Sequence, residues 1–264
     1  MKSNRKTVQE RQSRILELVN LKEEISVEEL ALACGVSPMT VRRDLSLLDA
    51  NGLLRRLHGR AATLERAETI ESPDPLVERC RECISRYAAS LVNDSDVLFI
   101  NGSRTALNLL RHLGRKRVNV YTNNGWAVME PYPETVRLHM IGGELFGRIM
   151  IGQYVVQNLL QMSSDKTFIG CGGVYDDGEF RYDIPTEIGI NEMMLSRTRG
   201  GFYILADHTK MQKREMRINT YGSCRYNHEV TLITDSMADP EMTGKLEAAG
   251  IHVVIVPVDT PGTV

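Results

Sequence analysis

Two pairs of adjacent arginines, Arg42-Arg43 and Arg55-Arg56, stand close together in a chain whose formal net charge is only −2. Their surroundings are basic as well, because residues 1–66 hold 12 Lys/Arg against 9 Asp/Glu, hence +3. The remainder holds 20 basic and 25 acidic residues, hence −5. A guanidinium group binds guanine O6 and N7 in a bidentate manner, or binds a phosphate oxygen. The charge distribution therefore indicates an anionic partner for the N-terminal part alone.

The segment that precedes the first arginine pair carries the start and stop signals of short helices. Ser26 stands three residues before Glu29, which is a capping-box spacing, and Gly35 is a typical residue after a helix end. Ser37 then caps a further helix that has Pro38 at its first position. A helix, a turn containing glycine and a second helix are the elements of a helix-turn-helix domain.

The helix that starts at Pro38 has an apolar face and a polar face. Val41, Leu45 and Leu48 share one face, which we expect to point into the core, and Asp44 lies beside it, where it orients an arginine. In a helix-turn-helix domain the opposite face enters the DNA major groove, N-terminal end first. The residues expected to contact DNA from this helix are Ser37, Met39, Thr40, Arg42 and Arg43.

Two short runs rich in apolar residues follow between Leu53 and Leu64, with His58-Gly59 at the turn between them. This pattern predicts a β-hairpin, the wing of a winged helix-turn-helix domain. Its basic side chains are expected at the phosphate backbone or the adjacent minor groove, and they are Arg55, Arg56, His58 and Arg60. The alternative is a solvated basic hairpin in a module that binds protein.

The stretch from "ILELVN" to "RRLHG" resembles the N-terminal domain of DeoR-family bacterial transcriptional regulators. The family pattern is V-S-x-x-T-I-R-R-D-L, then a leucine-rich stretch, then R-x-H-G-G-A. The matching positions are Val36, Ser37, Thr40, Arg42, Arg43, Asp44, Leu45, Arg56, His58, Gly59 and Ala61. Arg60 replaces the second glycine of the family pattern and adds a further possible phosphate contact.

Beyond a polar segment at 65–79, short apolar runs alternate with stretches that are compatible with helices. The runs are "DVLFI", "VNVYT", "RLHMI", "KTFIG", "GFYILA", "EVTLIT" and "HVVIVP". This alternation is typical of an α/β domain with a largely parallel, Rossmann-like sheet that is buried on both faces. We therefore predict four segments: a winged helix-turn-helix domain at 1–64, a linker at 65–79, an α/β effector-binding domain at 80–257 and a flexible tail at 258–264.

Small and polar residues follow several of these predicted strands. Parallel α/β sheets bind ligands beyond the carboxyl ends of their strands, and this composition suits a small polyhydroxylated phosphate. The expected effector-binding residues there are Asn101, Gly102, Ser103, Arg104, Thr105, Thr122, Asn123, Asn124, Gly142, Gly143, Asp207 and Lys210. For each of them alone a structural explanation stays open: glycines for tight turns, asparagines as helix caps, and Lys210 as a solvated surface residue.

The resemblance to the DeoR family continues through this region. "NGSRT", "TNN", "IGGEL", "SSDKTFIGCGGVYDDGEF", Glu187 and "ADHTK" match the family's landmarks in order. It implies a fold similar to ribose-phosphate isomerases and coenzyme A transferases, a phosphorylated sugar or related metabolite as effector, and Glu187 among the binding residues. The chain departs from the family pattern at Ile100, Asn191 and Arg104.

An enzyme is the alternative: a sugar-phosphate isomerase that carries a helix-turn-helix domain. Isomerases of the related fold use a positioned carboxylate and a lysine. Asp176 and Asp177 precede a glycine in a predicted turn, and Glu187 has Asn191 where a lysine partner would stand. We therefore predict a regulator and no catalytic residue.

Cys80 and Cys83 form a C-x-x-C pair without a second pair or a nearby histidine, and they fall on an apolar stripe with helical spacing. We therefore place them in the core and predict no metal and no cofactor. The odd number of cysteines, the polar N-terminus and the lack of a long apolar run predict a cytoplasmic protein without a membrane partner. A dimer or tetramer is expected, because one small DNA-binding domain buries little DNA surface.

Overall fold

The computed structural model describes residues 2–50, 53–57, 59–63, 74–182, 186–212, 223–226 and 229–259. The chain falls into two compact units, Met1–Pro73 and Asp74–Val264. Across the described residues, none of the helices combines the length and apolar character that a membrane crossing requires. His58, one of the residues predicted to bind DNA, lies outside the described residues.

The first unit packs three helices against a small antiparallel sheet. The helices are α1 (Lys2–Lys22), α2 (Val27–Cys34) and α3 (Pro38–Ala50), and the strands are β1 (Glu24–Ser26), β2 (Arg55–Leu57) and β3 (Arg60–Ala62). The strand order is β1-β3-β2. Fully buried Ile15, Leu30, Val41, Leu45 and Leu54 form the centre of the core. This is the predicted winged helix-turn-helix arrangement.

The predicted helix boundaries of this unit have the expected local chemistry. Ser26 accepts a hydrogen bond from the Glu29 amide, at 3.1 Å from N to Oγ, and the Glu29 carboxylate accepts one from the Ser26 amide at 3.0 Å. Gly35 ends α2 in the left-handed region, at φ 63°, where glycine has no steric penalty. Ser37 Oγ accepts from the Thr40 amide at 3.2 Å, which caps α3.

The second unit contains further strands and helices. The strands are β4 (Val97–Ile100), β5 (Val118–Thr122), β6 (Val136–Met140), β7 (Glu144–Phe146), β8 (Ile149–Ile151), β9 (Ser164–Gly170), β10 (Gly173–Tyr175), β11 (Phe180–Arg181), β12 (Thr198–Leu205), β13 (Met211–Gln212), β14 (Ser223–Cys224), β15 (Thr231–Asp235) and β16 (His252–Val256). The helices are α4 (Pro75–Ser90), α5 (Arg104–Asn108), α6 (Gln153–Leu160), α7 (Thr186–Ser196) and α8 (Pro240–Ala248). Short 3₁₀ helices cover Leu109–His112, Gly125–Val128 and His208–Lys210.

Seven of the described strands form one sheet in the order β16-β15-β12-β9-β4-β5-β6. Each pair of neighbouring strands is parallel, as the sequence predicted. The chain adds β5 and β6 on one side of β4, then returns to β9 on the other side and continues outwards to β16. The point at which a doubly wound sheet reverses its direction is where such sheets bind ligands. Here that point lies between β4 and β9.

Both faces of this sheet are covered. Leu98 and Ile100 of β4 belong to one buried cluster, together with α4 and α5, whereas Phe99 between them belongs to another. The second cluster includes residues of α6, α7 and α8. Because side chains of a strand alternate between faces, the two clusters lie on opposite sides of the sheet. This burial explains why the strands are continuous apolar runs in the sequence.

Two boundaries differ from the sequence prediction. Residues 75–79, which the sequence assigned to a linker, lie in α4, because Asp74 accepts from the Leu76 amide at 3.0 Å and Pro75 takes the first helical position. Asp259, assigned to a flexible tail, forms an ion pair with Arg86 of α4. Both segments are polar in sequence, and in the structure the first belongs to α4 and the second is in contact with it.

Candidate functional site

The outer face of α3 is exposed and polar, as predicted. Arg42, Arg43 and Ser37 are exposed, Thr40 is half-buried, and Met39 keeps 70% of its surface. The opposite face holds the fully buried residues of the core. Among the described residues, the Arg43 guanidinium has no hydrogen-bond or ion-pair partner within the chain, so it is available to an external acceptor.

Asp44 does not face outward with the arginines. It is buried and accepts hydrogen bonds from Arg11 of α1, at 2.5 Å from Nε to Oδ2 and 3.1 Å from Nη2 to Oδ1. Gln12 Nε2 adds a third bond at 3.3 Å. The prediction that Asp44 orients an arginine is confirmed, and the arginine is one that sequence reasoning did not identify. This contact fixes α3 against α1, so it sets the direction in which the exposed face points.

The wing and α3 meet through side chains. Arg56 of β2 donates from Nη1 to Ser46 Oγ of α3 at 2.7 Å, and Ser46 Oγ donates to the Arg42 carbonyl at 2.7 Å. Arg42 Nη2 lies 3.7 Å from Glu28 Oε1, and Arg60 Nη1 lies 2.9 Å from Glu24 Oε1.

The side chains of the two ion pairs, Arg42–Glu28 and Arg60–Glu24, are largely exposed, apart from that of Glu24. An exposed ion pair contributes only about 0–1 kcal/mol. A phosphate oxygen can therefore replace Glu28 as the partner of Arg42 at little cost. Arg55, the remaining predicted wing contact, is half-buried.

The second group of predicted residues lies at the carboxyl edge of the large sheet. Since the strands are parallel and adjacent, the residues after β12, β9, β4, β5 and β6 follow one another along that edge. They include every predicted effector residue except Thr122, which is the last residue of β5, and Glu187, which stands in the first turn of α7.

Asn101 joins the two strands at the reversal point. Its Oδ1 accepts from the Gly170 amide at 3.0 Å and from the Ser103 amide at 3.1 Å, and its Nδ2 donates to the Gly170 carbonyl at 3.1 Å. Nδ2 also lies 3.3 Å from Asn191 Oδ1. Asn101 is buried, so it holds the loop after β4 against the end of β9.

Gly102 and Gly170 each lie too close to a neighbouring side chain to carry a side chain of their own. A Cβ at Gly170 would lie 1.9 Å from Ser103 Oγ, and one at Gly102 would lie 2.1 Å from Ile149 Cγ2 and 3.2 Å from Glu187 Oε1. The structure therefore brings Glu187 to the loop after β4, although the two are far apart in sequence. Arg104 is half-buried beside this loop and Thr105 is buried in α5.

The residues after β5 have mainly structural contacts. Thr122 Oγ1 accepts from the Asn124 amide at 3.0 Å, and Asn124 Oδ1 caps the following 3₁₀ helix by accepting from Trp126 at 3.0 Å. Asn123 Nδ2 donates to the Met150 carbonyl at 3.1 Å. The capping explanation thus holds for Asn124. Near this edge, the buried atoms Asn123 Oδ1 and Asn191 Nδ2 have no hydrogen-bond partner among the described residues.

Gly142 and Gly143 occupy backbone conformations that favour glycine. Both have positive φ, at 84° and 118°, where other residues are strained. A Cβ at Gly143 would lie 2.7 Å from the Ile151 carbonyl of β8. These glycines therefore allow the β7–β8 hairpin to fold back over the sheet edge, and it is this hairpin that brings Ile149 against Gly102.

Asp207 anchors the loop after β12. It is buried and accepts from Arg81 Nε of α4 at 2.9 Å and from the Thr209 amide at 3.0 Å. Burial alone would raise the pKa of Asp207, but the hydrogen bonds from Thr209 and Arg81, with the charges of Arg81 and Lys210, lower it. Lys210 is half-buried and close enough to affect both Asp207 and Cys171 after β9, so its ammonium group lies along the same edge.

The sequence profile of the DeoR C-terminal sensor domain matches residues 78–236, which is more than half of the chain. The chain belongs to the DeoR family. The profile of the DeoR-like helix-turn-helix domain matches residues 11–67 of this DeoR-family chain.

Named relatives cover nearly the whole DeoR-family chain. The HTH-type transcriptional regulator GolR of Listeria innocua is 27% identical over 93% of this chain and 98% of its own length. The lactose phosphotransferase system repressor of Lactococcus lactis is 28% identical over 88% and 92%. The family and these names make the chain a DNA-binding transcriptional regulator rather than an enzyme.

Ribose 5-phosphate isomerase A of Methanocaldococcus jannaschii is similar over 51% of this chain and 55% of its own, with a TM-score of 0.36 and 16% identity. These values are too low for the likeness to add to the assignment.

Proposed function

We propose that this DeoR-family regulator represses a carbohydrate uptake or catabolic operon and that a phosphorylated sugar or related metabolite controls its binding to DNA. A relative named as the repressor of a lactose phosphotransferase system supports the class of operon. The observation that carries the DNA-binding part is the exposed arginine-bearing face of α3, set opposite a fully buried face.

The outer face of α3 enters the major groove of operator DNA. Arg42 and Arg43 contact base edges or phosphates, with Ser37, Met39 and Thr40 at the entering end. Arg55, Arg56, His58 and Arg60 of the wing region contact the backbone or the minor groove. The bond from Arg56 to Ser46 supports this arrangement, because it holds a wing arginine beside the polar face of α3.

Fluorescence anisotropy with labelled DNA from the protein's own promoter tests this interface. Affinity is expected to exceed that for scrambled DNA of equal length. It should also fall steeply between about 50 and 200 mM salt, by roughly 10³–10⁵-fold for 6–10 phosphate contacts. Equal affinity for both DNAs, or no binding at the lower salt concentration, would show that this face does not read an operator.

The metabolite binds at the reversal point of the large sheet. Gly102, Ser103 and Arg104 surround its phosphate from the loop after β4, and Glu187 approaches Gly102 as a partner for a sugar hydroxyl. Lys210 contributes positive charge from the loop after β12. The unpaired Asn191 Nδ2 and Asn123 Oδ1 supply one donor and one acceptor for hydroxyl groups near the same edge.

A thermal-shift screen of sugar phosphates against their unphosphorylated parents tests this site. A ligand at 100 times its Kd adds about 2.7 kcal/mol of stability, so the correct phosphate should raise Tm clearly. The parent sugar should not, because the proposed contacts to the phosphate are missing. If each sugar phosphate and its unphosphorylated parent change Tm by the same amount, the result contradicts a phosphate site.

We also infer that the regulator works in the cytoplasm as a dimer or tetramer. A single small DNA-binding unit contacts too little DNA for useful specificity, and paired units read repeated half-sites. Sedimentation velocity of the whole chain gives the oligomeric state directly. A monomer that binds its promoter with full specificity would contradict the inference.

A further inference from the structure

Three side chains with metal-binding atoms meet beside the carboxyl edge of the large sheet. Cys80 comes from α4, His208 from the 3₁₀ helix after β12, and Asp235 from the end of β15. One ligand atom of each lies within 4.8 Å of the other two. Cys80 and Asp235 are fully buried, and His208 is half-buried. Because the three are remote in sequence, the spacing of the C-x-x-C pair did not reveal this cluster.

We propose that Cys80, His208 and Asp235 bind one zinc ion, with water or another small ligand in the fourth position. A thiolate, an imidazole and a carboxylate are all ligands that zinc prefers. Two anionic ligands balance the charge of the ion. In a tetrahedral zinc site the ligand atoms stand about 3.3–3.6 Å apart, so the cluster has to close by roughly 1 Å. His208 can supply that movement because it lies in a half-exposed turn.

The surroundings of Asp235 resemble a prepared outer shell. The His208 amide donates to Oδ2 at 2.7 Å, and the Met237 amide donates to Oδ1 at 3.0 Å. The His208 ring nitrogen Nδ1 lies 2.9 Å from Oδ1. The two backbone amide bonds can orient a ligating carboxylate, whereas the contact between Nδ1 and Oδ1 would give way to bonds from both side chains to the metal. A buried carboxylate is most stable when its charge is paired, and a divalent cation would pair the charge of Asp235, which the neutral amides do not.

The cation next to Cys80 in the sequence does not compete for this position. Arg81 follows Cys80 in α4, but its guanidinium is held by Asp207 at 2.9 Å and by Glu78 at 2.9 Å. Its charge is therefore directed to other carboxylates. Lys210, three residues from Asp207, also acts on that carboxylate.

A bound ion would join α4 of the second unit to the loop that carries Asp207 and Lys210. The zinc site does not depend on the identity of any effector. All three of its residues belong to the second unit, so it can be tested without DNA.

The test uses the whole purified chain. Zinc is measured by plasma mass spectrometry after exhaustive dialysis, and cobalt(II) is then exchanged into the site. We expect one zinc ion per chain and, with cobalt, the thiolate charge-transfer band and tetrahedral d–d bands. Cys80→Ser should abolish the charge-transfer band.

Cys83→Ser is the matched control, because Cys83 lies one turn further along α4 and is also buried, but its Sγ lies near Arg86 and Asp259 instead. It should keep both zinc and the cobalt spectrum. His208→Gln, at a half-buried position that is easier to change without unfolding, should weaken zinc affinity by at least roughly 10-fold in competition with a chelator.

Three results would overturn the proposal. They are a zinc-free chain that gives no cobalt spectrum, a charge-transfer band that survives in Cys80→Ser, and equal zinc affinity for His208→Gln and the unmodified chain. In each case the cluster would be a hydrogen-bonded anchor for the loop after β12.

Discussion

On α3, Arg43 is the side chain that is most readily available to bind DNA. Its guanidinium is exposed and has no partner among the described residues, so no internal bond has to break when it meets a base. Arg43→Ala should weaken operator binding by about 1–3 kcal/mol if the side chain reads a base. The protein's preference for one base over the others should also weaken at the base pair that Arg43 contacts.

Anisotropy with the operator and with single-base variants measures this change. Arg199→Ala, at an exposed position in the second unit, is the control and should leave operator affinity unchanged. An Arg43→Ala protein with the affinity of the unmodified chain would show that this residue takes no part in recognition.

Asp44 illustrates a residue whose effect on recognition is indirect. Its side chain keeps only 4% of its surface and its partner Arg11 keeps 17%. Asp44→Ala leaves the Arg11 guanidinium half-buried and unpaired, so the free energy of unfolding should fall by roughly 2–3 kcal/mol. Urea denaturation measures it. Glu17→Ala, which breaks the exposed pair with Arg14, should cost less than about 1 kcal/mol; equal losses would contradict the anchoring of α3 by Asp44.

Among the elements, the helix ends of the first unit follow from local chemistry, and a pH dependence follows from the cap of α2. The backbone and side-chain hydrogen bonds from Ser26, with a bond from Lys22, lower the pKa of Glu29 to about 2. A depressed carboxylate stabilises the fold above its unfolded pKa of about 4.3. That contribution is lost as the pH falls from about 4.3 towards 2.

Ser26→Ala removes the cap and should cost about 1 kcal/mol at neutral pH. The difference in free energy of unfolding between Ser26→Ala and the unmodified chain should shrink below about pH 4. Glu29 is protonated there, so the bond from the Ser26 hydroxyl no longer stabilises a charged carboxylate. Unfolding curves at several pH values check this. A constant difference across the whole range would mean that Glu29 does not act through the cap.

The elements also show what the sequence could and could not predict. Caps, turns and apolar periodicity depend on neighbouring residues, so α2, α3, the wing and the strands of the large sheet were predicted. Strand β1 was not, since Ile25 is recognisable as a strand residue only through its pairing with Ala61. The same holds for Arg11 beside Asp44, Glu187 beside Gly102 and Arg81 beside Asp207. These contacts join distant segments, and one sequence carries no local signal for them.

For the whole molecule, the proposed function assigns DNA binding to the first unit and the metabolite response to the second. Ser103→Ala and Lys210→Ala change residues of the second unit only. They should abolish the metabolite's effect on operator affinity while leaving DNA affinity without metabolite unchanged. Anisotropy with and without the metabolite found in the thermal-shift screen distinguishes the two quantities. If both variants respond normally, the binding site lies elsewhere.

Gly170 allows the location of the site to be tested without removing any polar group. It is buried at the end of β9, and a Cβ there would lie 1.9 Å from Ser103 Oγ and 2.4 Å from Ser103 Cβ. Gly170→Ala therefore forces the loop after β4 away from the reversal point. Metabolite affinity, measured by calorimetry, should fall at least 10-fold, about 1.4 kcal/mol, while the operator affinity of the metabolite-free protein stays the same. Gly244→Ala is the matched control, because a Cβ there meets no atom within 4 Å and alanine favours its helix. A Gly170→Ala protein that binds metabolite as tightly as the Gly244→Ala control would place the site away from the β4–β9 junction.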